Sequence, residues 1–95
     1  MKLRGQKLVD AINKLFPPES KGYEVAFIVD GQPMVTSESP STVEPYRIVD
    51  YYGWDSPARD YYDAFGVSVK LNKFLEKQGL YAEWEHCAGI RMYEG

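Results

Sequence analysis

The chain has 95 residues, of which 44 % are hydrophobic and 26 % charged, with a formal net charge of −3. This length and composition predict one globular domain over residues 1–95, and the acidic balance argues against strong binding to duplex nucleic acid, which depends on Lys and Arg contacts to phosphates. The single cysteine excludes an internal disulfide, and one histidine with one cysteine is too few to build a structural zinc site.

The expected location follows from the same features. No apolar run of signal-peptide length follows the basic residues Lys2, Arg4 and Lys7, and no segment approaches the length of a membrane span. A single free cysteine fits a reducing compartment. We therefore expect a cytoplasmic protein that has no membrane partner.

The first two predicted elements are a helix and a strand. Apolar side chains recur at helical spacing from Leu8 to Phe16, and two prolines follow, which predicts an amphipathic helix over residues 3–16. Residues 23–29 are rich in β-branched and aromatic side chains and are apolar on both faces. With Asp30-Gly31 directly after it, this segment is predicted to be a central strand that enters a tight hairpin.

The predicted hairpin has a defined register and one exception. In a two-residue turn, Val29 faces Gln32 and Phe27 faces Met34. Pro33 lacks the backbone N–H that a hydrogen-bonded ladder requires, so its strand is expected at an edge of the sheet or irregular at that point.

Two segments then lead to the centre of the chain. Residues 37–42 are polar and turn-prone, which predicts an exposed loop. Residues 43–52 leave two alternatives open, because Thr42 can cap a helix with Pro45 in its first turn, whereas residues 46–51 have strand composition. A helix is slightly favoured, since three of the large side chains fall roughly on one side of a 3.6-residue period.

The helical spacing of apolar residues that begins after Ser56 changes phase at Gly66. Ser56-Pro57 is a good helix start, and one apolar stripe follows it as far as Phe65, but the apolar residues after Gly66 lie on the opposite side of the same ideal helix. The pattern predicts a short helix over residues 57–65, a bend near Gly66 and a longer helix over residues 68–78. One continuous helix buried on both sides is the alternative.

The last predicted element is a second hairpin. With residues 87–89 as a three-residue loop in which Gly89 is left-handed, Trp84 opposes Met92 and His86 opposes Ile90, so a mainly apolar face lies on the core. Four side chains then point away from the core: Glu83, Glu85, Arg91 and Tyr93. Together the elements predict an α+β fold, in which a small antiparallel sheet of two hairpins has two to four helices packed on one face.

The centre of the chain is both aromatic and acidic. Seven of the fourteen aromatic residues lie between Tyr46 and Phe65, and residues 22–63 hold eight acidic and two basic side chains. Core packing is the ordinary role of such tyrosines, but Tyr and Trp are also the favoured anchors of protein interfaces. We predict a partner-binding face formed by nine residues: Glu44, Asp50, Tyr51, Tyr52, Trp54, Asp55, Asp60, Tyr61 and Asp63.

Other residue types give weaker indications of chemistry. His86 and Cys87 are neighbours, but adjacent residues on a strand point to opposite faces, and no nucleophile motif accompanies them. We therefore predict no catalytic residue, no metal site and no cofactor, and we expect His86 to be partly buried and structural. Lys70, Lys73 and Lys77 line one side of the last helix and are expected to be solvated.

These features rank three functions. The leading hypothesis is a small non-enzymatic regulator or inhibitor whose acidic, aromatic face covers a basic site on a target protein; where that target binds nucleic acid, the face would act by charge mimicry. In general character, though in no motif, such a chain resembles the inhibitors that phages and mobile elements carry against host nucleic-acid machinery. The alternative is a single-stranded nucleic-acid binder that uses Tyr and Lys side chains, and the third is a small enzyme subunit with an unrecognised carboxylate site.

Overall fold

The computed structural model describes residues 2–20, 22–53 and 60–95. In chain order the elements are α1 (Gly5–Leu15), β1 (Ala26–Val29), β2 (Gln32–Thr36), α2 (Val69–Lys77), β3 (Leu80–His86) and β4 (Gly89–Glu94). The strands form one antiparallel sheet in the order β1-β2-β4-β3. The predicted α+β class is therefore confirmed, with one small sheet and two helices in the described ranges.

The two helices form where the apolar spacing predicts them. α1 lies within the predicted range 3–16, and α2 lies within 68–78, where the Ser68 hydroxyl caps the first turn by accepting a hydrogen bond from the Leu71 N–H (3.3 Å). Buried side chains of both helices belong to one core with Val35 of β2 and Ile90 of β4. The helical contributors to that core are Leu8, Val9, Ile12, Leu71 and Leu75.

The first hairpin has the predicted register, because Val29 pairs with Gln32 and Phe27 pairs with Met34. Its position in the sheet is not the predicted one: β1 is an edge strand, and β2 lies between β1 and β4. The proline is tolerated inside the sheet because pairing between β2 and β4 begins only at Met34, so Pro33 lies beyond the ladder in which its N–H would be needed.

The edge position of β1 is stabilised by a side chain of α1. The amide nitrogen of Asn13 donates to the Ala26 carbonyl, and its amide oxygen accepts from the Ala26 N–H, both at 2.8 Å. Asn13 thus satisfies the backbone groups that a neighbouring strand would otherwise pair. An apolar strand composition is therefore compatible with an edge position here.

The second hairpin forms with a different register from the predicted one. Trp84 pairs with Ile90 and His86 with Gly89, so the turn is Cys87-Ala88, and an irregularity between Trp84 and His86 absorbs the extra residue. Gly89 does not have a positive φ; its role is close approach, since a Cβ there would lie 2.9 Å from the Met34 sulfur. His86 is exposed, so the expectation of a partly buried histidine is wrong.

The segment predicted as an exposed loop is partly buried. Ser39 and Ser41 are buried, and the Ser41 hydroxyl donates to the carbonyl of Pro17 (2.9 Å), which also accepts from the Thr42 N–H (2.9 Å). These bonds attach the segment to the chain that leaves α1. Turn-prone composition predicted the absence of regular structure but not this attachment.

Residues 43–52 are neither helix nor strand, so the favoured helix is wrong. Their backbone groups pair with the stretch around Gly66 instead: the Asp50 N–H donates to the Gly66 carbonyl (2.8 Å), and the Ser68 N–H donates to the Ile48 carbonyl (2.9 Å). Long-range hydrogen bonds satisfy the backbone here in place of a local helix.

The predicted short helix over residues 57–65 lies partly outside the described residues, and residues 60–65 form turns and a bridge, not a helix. The predicted bend at Gly66 is present, with φ at +83°. A Cβ at this position would overlap the Asp50 carbonyl oxygen. In the described ranges, no helix combines the length and apolar character that a membrane crossing requires.

Candidate binding surface

The described residues among those predicted to bind a partner are distributed over more than one depression. Glu44 and Asp50 border a depression of about 360 Å³, whereas Tyr51 and Tyr52 border a different one of about 290 Å³. Trp54 and Asp55, also predicted, lie outside the described residues. The remaining three, Asp60, Tyr61 and Asp63, divide between exposed and structural positions.

Asp63 has a structural role in the turn that leads to α2. Its Oδ1 accepts hydrogen bonds from the N–H groups of Phe65 (2.8 Å) and Val67 (3.0 Å), and its Oδ2 accepts from the Asn72 side chain at 2.6 Å. Asp60, by contrast, is exposed at a turn. A partner can reach Asp60, whereas the carboxylate of Asp63 is already engaged.

Glu44 and Asp50 are also engaged within the chain. Glu44 forms an ion pair with Lys70 at 3.1 Å, and Asp50 Oδ1 accepts from the Tyr52 N–H at 3.0 Å, which closes a local turn. These carboxylates therefore support loop geometry, and their charge is partly offset before any partner arrives.

Tyr61 packs among other tyrosines. Its ring lies edge-on to Tyr46 (5.4 Å between centroids) and to Tyr62 (4.9 Å). Its hydroxyl is buried and has no hydrogen-bond partner of good geometry among the described residues. Burial raises the pKa of Tyr61 well above the usual tyrosine value, the Ser68 hydroxyl opposes that rise, and the Glu44 carboxylate adds to it. Tyr61 is thus a packing residue.

The neighbouring Tyr62 is buried and fully bonded. Its hydroxyl donates to the Arg47 carbonyl at 2.7 Å. Burial, with the Asp50 carboxylate adding to its effect, raises the pKa of Tyr62 to about 12. Part of the aromatic cluster is therefore core, as the packing role of tyrosine implies.

A second group of aromatic residues is presented outward, and we call it the aromatic surface. Trp84 of β3 lies at its centre: the indole N–H donates to the Phe65 carbonyl (2.6 Å), and the Tyr51 ring lies edge-on to the indole at 5.2 Å. Tyr52 in turn lies edge-on to Tyr51 at 5.3 Å. The aromatic surface comprises Tyr51, Tyr52, Phe65, Tyr81 and Trp84.

Two adjoining depressions shape this surface. One, of about 290 Å³, is lined by Tyr51, Tyr52, Ala64, Phe65 and Trp84. The other, of about 420 Å³, is lined by Phe65, Tyr81, Ala82, Glu83 and Trp84. Because Phe65 and Trp84 line both, the two depressions adjoin each other beside β3.

The most exposed members of the aromatic surface are Phe65 (70 %) and Tyr52 (68 %). An aromatic side chain buries roughly 150–250 Å² when fully covered, so each of these two leaves more than about 100 Å² available to a partner. At about 25 cal/mol per Å², covering either one contributes about 2–3 kcal/mol. Such side chains have the character of interface anchors.

The turn at Gly66 places Phe65 in this exposed position. The backbone N–H of Phe65 is bonded to Asp63, its carbonyl accepts from the Trp84 indole, and the next residue has the left-handed φ that only glycine adopts without strain. Phe65 is thus fixed from both sides while its ring remains in solvent. The exposed ring is held in place by the fold.

Phe65, Tyr81 and Trp84 are the members of the aromatic surface that the sequence-based site omitted. Trp84 was predicted to face the core, and it does pack against the core with one side. The signal for Phe65 was the phase jump at Gly66, which leaves the last ring of a stripe without a helix to bury it. Nothing in local composition shows that these segments meet.

The remaining side chains offer little chemistry near this surface. The part of the chain that the structure describes contains no group of three or more His, Cys, Asp or Glu placed to hold a metal ion. Cys87 and His86 are both exposed at the β3–β4 turn. Lys70, Lys73 and Lys77 are exposed, as expected, and line a separate depression of about 410 Å³ on α2.

Comparison with models of protein families, with curated proteins and with solved structures found no match for this chain. The functional assignment therefore depends on the geometry of the aromatic surface.

Proposed function

We propose that the chain is a small protein-binding module, a regulator or inhibitor that uses the aromatic surface to cover a basic, partly apolar site on a target protein. The single observation that carries this proposal is the exposure of Phe65 and Tyr52 on a concave region centred on Trp84. Interfaces draw most of their binding energy from a few such aromatic residues.

The charge around the aromatic surface supports a basic partner. Glu83 lines the larger depression, Asp60 is exposed close in sequence to Phe65, and no Lys or Arg among the described residues lines either depression. The chain as a whole has a net charge of −3. Complementary charge of this kind accelerates association and selects partners more than it adds affinity.

The same acidic charge is the basis for a narrower form of the proposal, in which the surface mimics nucleic acid. If the target binds nucleic acid, an acidic surface with exposed rings would occupy the site that phosphates and bases otherwise fill. A protein that binds single-stranded nucleic acid directly is expected to place its aromatic rings and its Lys or Arg side chains along the same groove. The lysines of α2 and the aromatic surface line separate depressions that share no residue, which favours a protein ligand.

The experiment is quantitative co-purification with matched variants. Wild-type protein, Phe65→Ala and Tyr23→Ala are immobilised, and the proteins that each retains from a lysate of the native host are quantified by mass spectrometry. Tyr23 is a suitable control because it is 67 % exposed and precedes β1, the strand at the opposite edge of the sheet from β3. All three proteins are first compared by circular dichroism and thermal unfolding.

We expect at least one protein to be retained by the wild type and by Tyr23→Ala and to be depleted about tenfold or more on Phe65→Ala, because an anchor of about 2 kcal/mol changes affinity by more than that factor. The candidate is then purified and its binding measured directly. A retained set that is the same for all three proteins would contradict the proposal.

A further inference from the structure

The two edges of the sheet are unequal. At the β1 edge, the Thr36 N–H donates to the Val25 carbonyl (2.9 Å), so by the alternation of an antiparallel ladder the backbone groups of Ala26 point away from β2. The Asn13 side chain satisfies both of them at 2.8 Å. α1 therefore closes the β1 edge at Ala26.

The β3 edge has no such closure among the described residues. The Gly95 N–H donates to the Gly79 carbonyl at 3.2 Å, which fixes the alternation along β3. Tyr81 and Glu83 direct their backbone groups to β4, and Leu80, Ala82 and Trp84 direct theirs outward. In the described ranges, no strand pairs with that side of β3.

The composition of β3 protects this edge against an acidic strand but not against a basic one. Natural edge strands are kept short or carry charged residues, especially lysine, or a proline or a bulge that prevents pairing with another chain. The charged residues of β3 are two glutamates. β3 has seven residues with neither lysine nor proline, and its irregularity lies at the far end, between Trp84 and His86. The run from Leu80 to Trp84 is regular and, at about 3.4 Å per residue, can pair with roughly five residues of an added strand.

We propose that the β3 edge, with the depression beside it, binds an extended peptide segment in which basic and apolar residues alternate, as a fifth strand of the sheet. This inference rests on the proposed function and narrows the partner to a segment of stated chemistry. Addition of a strand to a sheet edge is a recurrent mode of peptide recognition, in which main-chain bonds supply affinity and alternate side chains supply specificity.

The alternation follows from the two sides of β3. On the inner side, Phe65 and Trp84 line the depression, so partner residues on that side contact aromatic rings and are apolar. On the outer side are Tyr81 and Glu83, which also line the depression, and Glu83 is exposed and forms no ion pair among the described residues. A Lys or Arg placed across from Glu83 contributes about 0.2–1 kcal/mol as a cross-strand pair.

Charge also decides against a second copy of this chain as the occupant. β3 carries two glutamates and no lysine or arginine, and Arg91, the nearby cation, already binds Glu85 at 3.3 Å and the carbonyls of Val29 and Gln32. Two β3 strands pairing with each other would bring these glutamates together without cations. Like charges across a strand pair are destabilising.

The test begins with a library of random nine-residue peptides displayed on phage and selected on the full chain. We expect enriched peptides to alternate basic and apolar residues. Synthetic copies should slow hydrogen exchange of the Ala82 and Trp84 amides by about tenfold or more, while the Tyr81 and Glu83 amides, which already face β4, change little. Methylation of every second peptide nitrogen should weaken binding about tenfold when the methylated nitrogens face β3, and should change it little when they face away from β3.

Two protein variants, each with a matched control variant, sharpen the test. Ala82→Pro removes an outward N–H and no bond to β4, so it should abolish peptide binding, whereas Ile28→Pro at the β1 edge should leave binding unchanged. Glu83→Lys should weaken the basic peptides about fivefold, and Glu19→Lys, at an exposed position outside the aromatic surface, should not. Should Ala82→Pro fail to fold, the methylated peptides decide.

Several results would overturn the inference: a library that yields no binder, enriched peptides that are acidic or helical, or sedimentation that shows the chain pairing with itself through β3. Peptides that respond to Phe65→Ala but leave the Ala82 amide unprotected would overturn the edge pairing alone. The proposed function would then stand, since its own tests are the retention and binding of a natural partner and not strand pairing at β3.

Discussion

Replacing Gly66 by alanine should destabilise the protein through two separable effects. The first is the backbone conformation: with φ at +83°, a residue that carries a Cβ is strained by about 1 kcal/mol. The second is steric, because the new Cβ would overlap the Asp50 carbonyl oxygen. That oxygen accepts a hydrogen bond from the Gly53 N–H at 2.8 Å, so moving it weakens a buried bond at a cost of about 2 kcal/mol.

We therefore expect Gly66→Ala to lower the free energy of unfolding by about 3 kcal/mol, which for a domain of this size lowers Tm by about 15 °C. Gly22→Ala is the matched control. Gly22 has φ at +88°, and nothing lies within 4 Å of the Cβ that alanine would add, so only the backbone strain of about 1 kcal/mol applies.

Urea titrations of the wild type and the two variants, followed by circular dichroism, give the comparison, provided that the denaturant slope is unchanged. The steric effect is the difference between the two variants, about 2 kcal/mol. A midpoint for Gly66→Ala at or above that of Gly22→Ala would refute the reasoning. A midpoint above that of the wild type would indicate a continuous helix, in which alanine is preferred to glycine.

Three further results are expected. Asp63→Ala should lower the free energy of unfolding by about 3 kcal/mol, because three hydrogen bonds end on that carboxylate. The control Asp60→Ala should change it by less than about 0.5 kcal/mol. Equal urea midpoints for the two variants would be inconsistent with a structural Asp63. Stability should fall between pH 10 and about pH 12, because the pKa of Tyr62 is about 12 in the folded chain and about 10 in the unfolded chain, which therefore loses its proton first. The slope of the unfolding free energy against pH approaches about 1.4 kcal/mol per pH unit for each such tyrosine. Tyr62→Phe should flatten this slope, and an equally steep fall in that variant would exclude this cause. Asn13→Ala should cost about 2 kcal/mol and speed hydrogen exchange at the Ala26 amide, and unchanged exchange there would show that the β1 edge is satisfied in another way.

The sequence predicted those elements in which local pattern and tertiary packing agree. α1 and α2 each have an apolar stripe that is buried along its length, and the first hairpin has a turn dipeptide that fixes its register. The bend at Gly66 was also predictable, because a break in the helix is the simplest cause of a phase change in apolar spacing. In these cases neighbouring residues carry the whole signal.

The incorrect predictions concern contacts between distant segments. Residues 43–52 bond to the stretch around Gly66, and no helical period within them reports that pairing. The second hairpin was given a three-residue loop because Gly89 was expected to be left-handed, whereas the structure uses it for close approach to Met34. The predicted binding face also omitted residues that only the folded chain brings together, since Trp84 contacts Tyr51 and Phe65 there.

The most direct measurement of the proposed function is the dissociation constant of a purified partner, determined by titration calorimetry for the wild type, Phe65→Ala, Tyr52→Ala and Tyr23→Ala. The three rings are 70 %, 68 % and 67 % exposed, so each truncation removes a comparable exposed ring and spares the core. At least one of Phe65→Ala and Tyr52→Ala should weaken binding by about 30-fold, which corresponds to about 2 kcal/mol, while Tyr23→Ala binds as the wild type does. Equal dissociation constants for all four proteins, each shown to be folded, would contradict a function carried by the aromatic surface.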